Sequence, residues 1–494
     1  MSGMEVPRGR AQTAHASLPD QMLVKVRHHL AQLSRVMSGT EATRLLIGLL
    51  YLSRAPRTAF DPGVPTWSWL LSQPVGRGPE IRAAVTKCLV HHLPAIEDPV
   101  AEVGSVSLVP VPPPGSEGPL HALVQAIGST QQVGPLLDQC LRDLSSAQAD
   151  GSNYFTPADM ARLMVGAAVP HDGHRVLDPV CGSGGLLVES HRYVRERVGL
   201  NPAMSLRGRE LHAPTSQVAR MNLSVRGIEA DISPPGDSLA QPEPGPYDIV
   251  LANPSLNQRD WTPEEGAERP VPPDPRWPEE APPRSSADAA WIQHIVHALA
   301  PGGRAVFLMA DRVAASRQAM PRRLRERLLG GDLVECVIAL PLRVYGHSQA
   351  PACLWVVNKD KNARPGWGTL DRRGQVLFIN ARRAFEQVPR SRARRLGEKN
   401  TALILSTLAA WRGLPANGAT ATPYSDTAGW SRSCSAKEIA NRGYSLMPTS
   451  YAAEPPSPEQ DTRNRIDELK LELTEQFDQM RALELRLLDA LEEI

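Results

Sequence analysis

Between about Asn153 and Lys361, short β-rich runs alternate with helical ones, and this alternation limits the fold more than any other feature of the chain. Arg175-Val-Leu-Asp178, Ser205 to Leu211, Tyr247 to Ala252, Gly303 to Ala310, Leu333 to Leu340 and Cys353 to Asn358 read as strands. Gly185 to Val198, Thr215 to Val225 and Ala289 to Leu299 read as the helices among them. Strand followed by helix, repeated, predicts a doubly wound α/β domain: a parallel sheet with helices on both faces and a ligand beyond the carboxyl ends of its strands. A Pro-rich stretch, Thr262 to Pro283, interrupts the pattern; too long and polar for a core, it is expected to be a mobile surface loop.

The rest of the chain reads differently. At 494 residues, with 41% hydrophobic residues, two or three domains are expected. Met22, Val26, His29 or Leu30, and Leu33 recur at helical spacing, Thr40 to Leu52 reads as a second, more buried helix, and Leu120 to Leu144 as further helix. The stretch Val103 to Pro119, rich in proline, reads as a linker. Toward the end, Ile466, Leu473, Met480, Leu487 and Ile494 repeat every seventh residue with Leu469 and Leu483 between, the pattern of a coiled-coil helix that pairs with something. The expected division is a mainly helical domain over 1–148, the α/β domain over 149–452 and a coiled-coil tail over 453–494.

Composition narrows the function. A formal net charge of +1 gives no bulk attraction to nucleic acid, so any DNA contact needs local charge or a partner. Arg382, Arg383, Arg390, Arg392, Arg394 and Arg395 are the local candidates, either as a phosphate-contacting surface or as a salt-bridged helix face. Six scattered cysteines show no metal-ligand spacing and read as reduced, buried thiols. The longest apolar run, Leu45 to Leu52, is too short to span a bilayer, and the first residues carry no signal pattern. No membrane association and a cytoplasmic location are expected.

Chemistry concentrates at the strand ends. Asp178-Pro-Val-Cys-Gly182-Ser183-Gly184-Gly185 follows a strand and opens a helix, where glycines let the backbone turn tightly against a ligand. A dinucleotide turn would place its third glycine later, where Leu187 stands, and Asp178 would repel a phosphate. An acid there suits a cationic, phosphate-free nucleoside, which points to S-adenosylmethionine over a nicotinamide dinucleotide. Glu210 ends the following strand, where a carboxylate can accept both ribose hydroxyls, and Asp237 is placed for the adenine amino group. At the fourth strand end, Asn253-Pro254-Ser255-Leu256 offers an amide acceptor and a backbone carbonyl that can grip an exocyclic amine and aim its lone pair at a methyl donor.

In this order, Tyr154-Phe-Thr-Pro157, Asp178 to Gly185, Glu210, Asp237 and Asn253-Pro254 resemble the γ-type DNA adenine-N6 methyltransferases, and within them the modification subunits of type I restriction systems. Asn222 in Ala219-Arg-Met-Asn-Leu, Pro301 to Arg304, Arg322 to Leu329, Val337 to Pro341 and Val376 to Asn380 are similar too, over roughly Leu120 to Tyr451. The resemblance implies a class I S-adenosylmethionine-dependent methyltransferase fold. It implies contacts to the methionine portion from Thr156 and its neighbours Tyr154 and Pro157, and to its amino-acid end from Asp178 and the turn Gly182-Ser183-Gly184. Glu210 would serve the ribose and Asp237 the adenine; Asn253, also beside the cofactor, and Pro254 would hold the N6 amine of a flipped adenine, with Ser255 and Leu256 completing the motif. Double-stranded DNA, a separate specificity subunit docked through the C-terminal helix and a second copy of the chain are the partners it implies.

The family motif is Asn-Pro-Pro followed by Phe or Tyr, whose ring stacks on the flipped base; here Ser255 and Leu256 stand instead. Trp261 lies close enough in sequence to offer a substitute ring. The change leaves a second reading open, a cofactor-binding scaffold without transfer. A third, methylation of another planar amine in RNA or a protein glutamine, is disfavoured by the Tyr154-Phe-Thr-Pro157 segment, the helical N-terminal domain and the tail.

Overall fold

A computed structural model of the chain describes residues 20–54, 63–93, 96–97, 105–106, 109–130, 133–147, 156–199, 201–256, 258, 261, 274–277, 282, 287–344, 350–388, 394–415 and 423–453, with 466, 469–470, 473–474, 476–477 and 480–481 in the tail. It divides into two compact units, Met1–Thr156 with Leu177–Ser238, and Pro157–Val176 with Leu239–Ile494.

In chain order the elements begin with α1 (Asp20–Leu33), α2 (Gly39–Leu52), α3 (Trp67–Ser72), α4 (Gly78–His92), the short antiparallel pair β1 (Ile96–Glu97) and β2 (Ser105–Val106), α5 (Glu117–Gly128) and α6 (Val133–Ala147). There follow α7 (Ala158–Ala168), β3 (Arg175–Asp178), α8 (Gly185–Val198), β4 (Ser205–Gly208), α9 (Ala213–Val225), β5 (Asp231–Ile232) and β6 (Tyr247–Ala252). Then come α10 (Asp288–Ala298), β7 (Leu299–Ala310), α11 (Asp311–Ala315), α12 (Ala319–Gly330), β8 (Val334–Ala339), β9 (Ala352–Asn358) and β10 (Gln375–Asn380). The last are β11 (Glu386–Gln387), β12 (Arg394–Arg395), α13 (Gly397–Arg412), β13 (Ser431–Ser435) and α14 (Ala436–Asn441).

The first unit forms around α2. Ser38 and Glu41 make a capping box, the Ser38 hydroxyl accepting from the Glu41 amide and the Glu41 carboxylate from the Ser38 amide, which fixes where the helix starts. Leu45, Leu46, Ile47, Leu49 and Leu50 then bury on all sides, so α2 is the central helix of the bundle. Val218, Met221 and Val225 of α9 join the same hydrophobic cluster as α2, α5 and α6. In this unit β4 lies between β3 and β5 and runs parallel to β5, with Arg207 opposite Asp231.

In the second unit the strand order is β13-β10-β8-β9-β7-β6. β6 and β7 are parallel, as are β8 and β10, while β9 lies antiparallel between β7 and β8 and β13 antiparallel beside β10. The expected strands are all present, but the sheet is mixed. Fully buried runs such as Ala352-Cys-Leu-Trp-Val-Val-Asn358 read alike in either direction, because burial on both faces erases the alternation that would reveal orientation. Across this sheet Glu335 is gripped by two buried guanidiniums, Arg304 at 2.9 Å and Arg412 at 2.5 Å. Burial alone would raise the Glu335 carboxyl; the two arginines instead hold it down to about 2.

Three sequence expectations meet the structure here. Of the basic cluster, Arg382 pairs with the buried Asp311, Arg395 with Glu386, and Arg394 lies 3.9 Å from the centre of the Phe385 ring. Arg382 and Arg395 are therefore salt-bridged and Arg394 packs on a ring, but on a turn and a short strand and not on the expected helix face, while Arg390 and Arg392 lie outside the described residues. Most of the Pro-rich segment also lies outside them, but Asp274 to Trp277 is anchored: Arg276 is 3% exposed, bonded to Asp274 and to His294 of α10. All six cysteines are buried and free of disulfides. Among the described residues no helix is long and apolar enough to cross a membrane, and no cluster suited to a metal ion is found.

Candidate active site

The turn after β3 is built by hydrogen bonds between strand ends. The Arg209 amide donates to the Asp178 carbonyl (3.1 Å) and the Cys181 amide to the Arg209 carbonyl (2.8 Å), so the chain leaving β3 is locked to the chain leaving β4. Gly182 (φ +52°) and Gly184 (φ +79°) then take left-handed conformations, and α8 starts at Gly185. The helix therefore points its free amides toward the turn. A Cβ at Gly184 would lie 3.5 Å from Ala219 of α9, so this turn runs directly against that helix.

Two acids sit inside this turn. Asp178 is 1% exposed and accepts from the Val180 amide at 3.1 Å. Glu210 is 6% exposed; one oxygen accepts from the Gly182 amide (3.1 Å) and the other from the His212 amide (3.0 Å). Among the described residues neither carboxylate pairs with arginine or lysine. Burial pushes the Asp178 carboxyl up to about 8, a rise reinforced by the Glu210 charge, and burial raises Glu210 as well. The Glu210 carbonyl accepts from the Gly236 amide at 3.0 Å, and the Ser238 hydroxyl donates to the Pro179 carbonyl at 2.5 Å, which brings the half-buried Asp237 to the same strand ends.

The residues fit S-adenosylmethionine on two independent grounds. Two buried acids that meet no arginine or lysine among the described residues favour a cation and oppose a phosphate, and the amino-acid end and sulfonium of this cofactor supply positive charge. Two buried hydroxyls, Ser183 Oγ in the turn and Ser233 Oγ after β5, have no hydrogen-bond partner among the described residues. A polar ligand in the turn would give such a hydroxyl its partner, although Ser216 Oγ on α9 is unpartnered among the described residues as well. Ser233 was not legible in the sequence; its position just after a two-residue strand carries no motif.

Thr156 is half-buried in the same unit as Asp178, Gly182, Ser183, Gly184, Glu210 and Asp237, whereas Pro157 caps α7 in the second unit. Tyr154 lies outside the described residues. Asn253, Pro254, Ser255 and Leu256 follow β6 in the second unit. β6 is buried almost throughout, which fixes where the motif emerges: Asn253 is half-buried, Pro254 buried, Ser255 exposed and Leu256 half-buried. Trp261 does not offer an open ring. It is 8% exposed, with its ring centre 5.8 Å from that of Trp277 in an edge-to-face contact.

Strands ending in a glycine turn and three acids, with an antiparallel strand inserted in the sheet, define a class I S-adenosylmethionine-dependent methyltransferase fold. The family model for N-6 DNA methylases matches residues 129–460, and the chain belongs to that family. It is 33% identical over 329 residues to the type I restriction enzyme HindI methylase subunit of Haemophilus influenzae, covering 66% of this chain and 69% of that one. Its identity to the MjaVII methylase subunit of Methanocaldococcus jannaschii is 29%, over 68% of this chain and 56% of that one. Among solved structures, the type I restriction-modification methyltransferase subunit from Streptococcus thermophilus superposes with a TM-score of 0.66 at 17% identity, covering 88% of this chain and 99% of that one. By family the chain is an adenine-specific DNA methyltransferase of the type I modification-subunit kind.

Proposed function

We propose that this chain methylates N6 of a flipped adenine in double-stranded DNA as the modification subunit of a type I restriction-modification system. The observation that carries the reading is the pair of buried acids Asp178 and Glu210, without an arginine or lysine partner among the described residues, against the glycine turn. Asp178, Ser183 and the amides of the turn would hold the cofactor's amino-acid end, with Thr156 and its neighbours Tyr154 and Pro157 at the methionine portion. Glu210 has both oxygens engaged by amides but keeps lone pairs for ribose hydroxyls. Asp237 would accept from the adenine amine.

The cofactor, when bound, supplies a methyl group on a sulfonium that leaves as a neutral thioether. Asn253 and the Pro254 carbonyl would accept from the N6 amine and orient its lone pair in line with that methyl; the amine proton then passes to solvent. No metal and little acid–base work are needed, so positioning supplies most of the rate. Flipping the adenine out of its stack costs a few kcal/mol.

The apolar stripe of the tail, Ile466, Leu469, Leu473, Phe477 and Met480, is exposed among the described residues and suits docking on a specificity subunit. The helical region over 1–148 would clamp DNA or a partner, a second copy of the chain would complete the assembly, and the setting is cytoplasmic. A second reading, cofactor-binding scaffold without transfer, is favoured by two observations: Ser255 is exposed where the family places proline before a ring, and Trp261 is buried. Expressing the chain with the specificity subunit encoded beside it and mapping N6-methyladenine in host DNA separates the two. A methylated motif that vanishes without this chain supports the enzyme; no methylated motif, with S-adenosylmethionine still bound, leaves the scaffold.

A further inference from the structure

One buried side chain connects the cofactor turn to the helical bundle. Asn222 on α9 is 2% exposed. Its Nδ2 donates to the Ser183 carbonyl at 2.7 Å, and its Oδ1 accepts from Arg226 one turn further along the same helix. An amide can be drawn either way round, but only this orientation gives a donor to the carbonyl and an acceptor to the guanidinium. Arg226 in turn donates to Asp138 at 2.5 Å and to the Gly134 carbonyl at 3.3 Å, both on α6.

The hydrogen-bonded line therefore runs from Asp138 on a bundle helix, through Arg226 and Asn222, to the carbonyl between the two left-handed glycines. The same helix is held on the bundle by Val218, Met221 and Val225, while Ala219 lies against Gly184. Ser183 is the residue whose carbonyl Asn222 holds and whose hydroxyl has no partner among the described residues. Releasing the carbonyl frees the peptide that aims both the hydroxyl and the amides of the turn.

We propose that Asn222 is a positioning residue for the cofactor, and that Asp138 and Arg226 set its grip from the helical bundle, so that α6 tunes cofactor affinity. This rests on the S-adenosylmethionine reading of the site. Two readouts separate it from a merely structural role. Loss of grip weakens cofactor binding while leaving the rate at saturating cofactor unchanged, and substitutions at Asp138 and Asn222 are non-additive because they act on one line of contacts.

The test is titration of the full-length chain with S-adenosylmethionine by calorimetry, with circular dichroism on each variant to monitor folding. Asn222→Asp keeps an acceptor for Arg226 but cannot donate to Ser183, and is expected to weaken binding about tenfold, the loss of one buried hydrogen bond. Asp138→Asn, on a half-exposed surface side chain, is expected to weaken it about threefold, a fraction of that effect, and the double variant to bind no more weakly than Asn222→Asp alone. Wild-type affinity in Asn222→Asp overturns the positioning role. Wild-type affinity in Asp138→Asn, or a double variant weaker by the product of the two single effects, overturns the link to α6. Should Asn222→Asp fail to fold, Asp138→Asn decides alone. A folded wild-type chain that binds no S-adenosylmethionine sinks the cofactor reading instead, a result distinct from all of these.

Discussion

The cofactor turn and the Asn253 motif both sit at the ends of buried strands, yet they are built on different terms. Around Asp178 the backbone does most of the work: amides of Gly182, Val180 and His212 are spent on two carboxylates, and glycine conformations shape the turn. What remains unsatisfied there, among the described residues, is the Ser183 hydroxyl and two buried acids without an arginine or lysine, which a cationic polar ligand can satisfy. At the Asn253 motif the backbone supplies only a carbonyl and a place on the sheet; the rest depends on side chains, and Ser255 and Leu256 give no ring. On the proposed reading, binding a methyl donor and holding a target base are thus separable demands, the first resting largely on main chain and buried charge, the second on side-chain surface.

The largest test of that separation is Asn253→Ala. Losing one aligned polar contact to the reacting amine is expected to cut methylation about 10²- to 10³-fold. Cofactor affinity measured by calorimetry should stay within about twofold if the two sites are independent. A parallel collapse of both would erase the distinction.

Next in size is Asp178. Its replacement by alanine is expected to weaken S-adenosylmethionine binding about tenfold to hundredfold, the worth of a hydrogen bond to a charged group, with the opposite partition: methylation at saturating cofactor recovers. The same residue gives a pH signature. In the ligand-free protein the carboxyl is pushed up to about 8, so the folded state holds a proton that the unfolded chain has already lost above about pH 4. The folded state binds more protons in that window, so this group makes stability fall as pH rises from about 4 to 8. A bound cation favours the ionised form, so affinity should rise about tenfold per pH unit on approach to 8 and level off above it. Asp178→Asn should flatten the profile; an unchanged slope would place the proton elsewhere.

The smallest effect expected is a gain. Restoring the ring with Ser255→Pro and Leu256→Phe together should raise kcat/KM for DNA about fivefold, the lower end of what one stacked base contributes. Cofactor affinity should not move. No gain would mean that the base is held without a stacking ring.

Much of the turn was legible because its constraints are local. Glycine spacing, an acid at a strand end and the next acid one strand later are all properties of contiguous sequence: β3 ends on Asp178, and Glu210 and Asp237 follow on the loops after β4 and β5. What was not legible depends on partners far away in the chain. Arg382 reads equally as a phosphate contact or half of an ion pair until Asp311, distant in sequence, closes on it. Trp261 reads as an available ring until Trp277 packs edge-on against it. The grip of Asn222 on Ser183 spans two helices and a strand, and no periodicity encodes which carbonyl a buried amide will find.

The buried cysteine of the turn has a consequence of a practical kind. Cys181 is 4% exposed, and burial, with Asp178 and Glu210 beside it, pushes its thiol well above the ordinary range. It is therefore expected to resist alkylating reagents while the turn is closed, since only the thiolate reacts and burial disfavours both its charge and a reagent's approach. Its rate of modification becomes a clock for opening of the cofactor cradle, readable by mass spectrometry residue by residue. A ligand that fills the cradle should slow that clock.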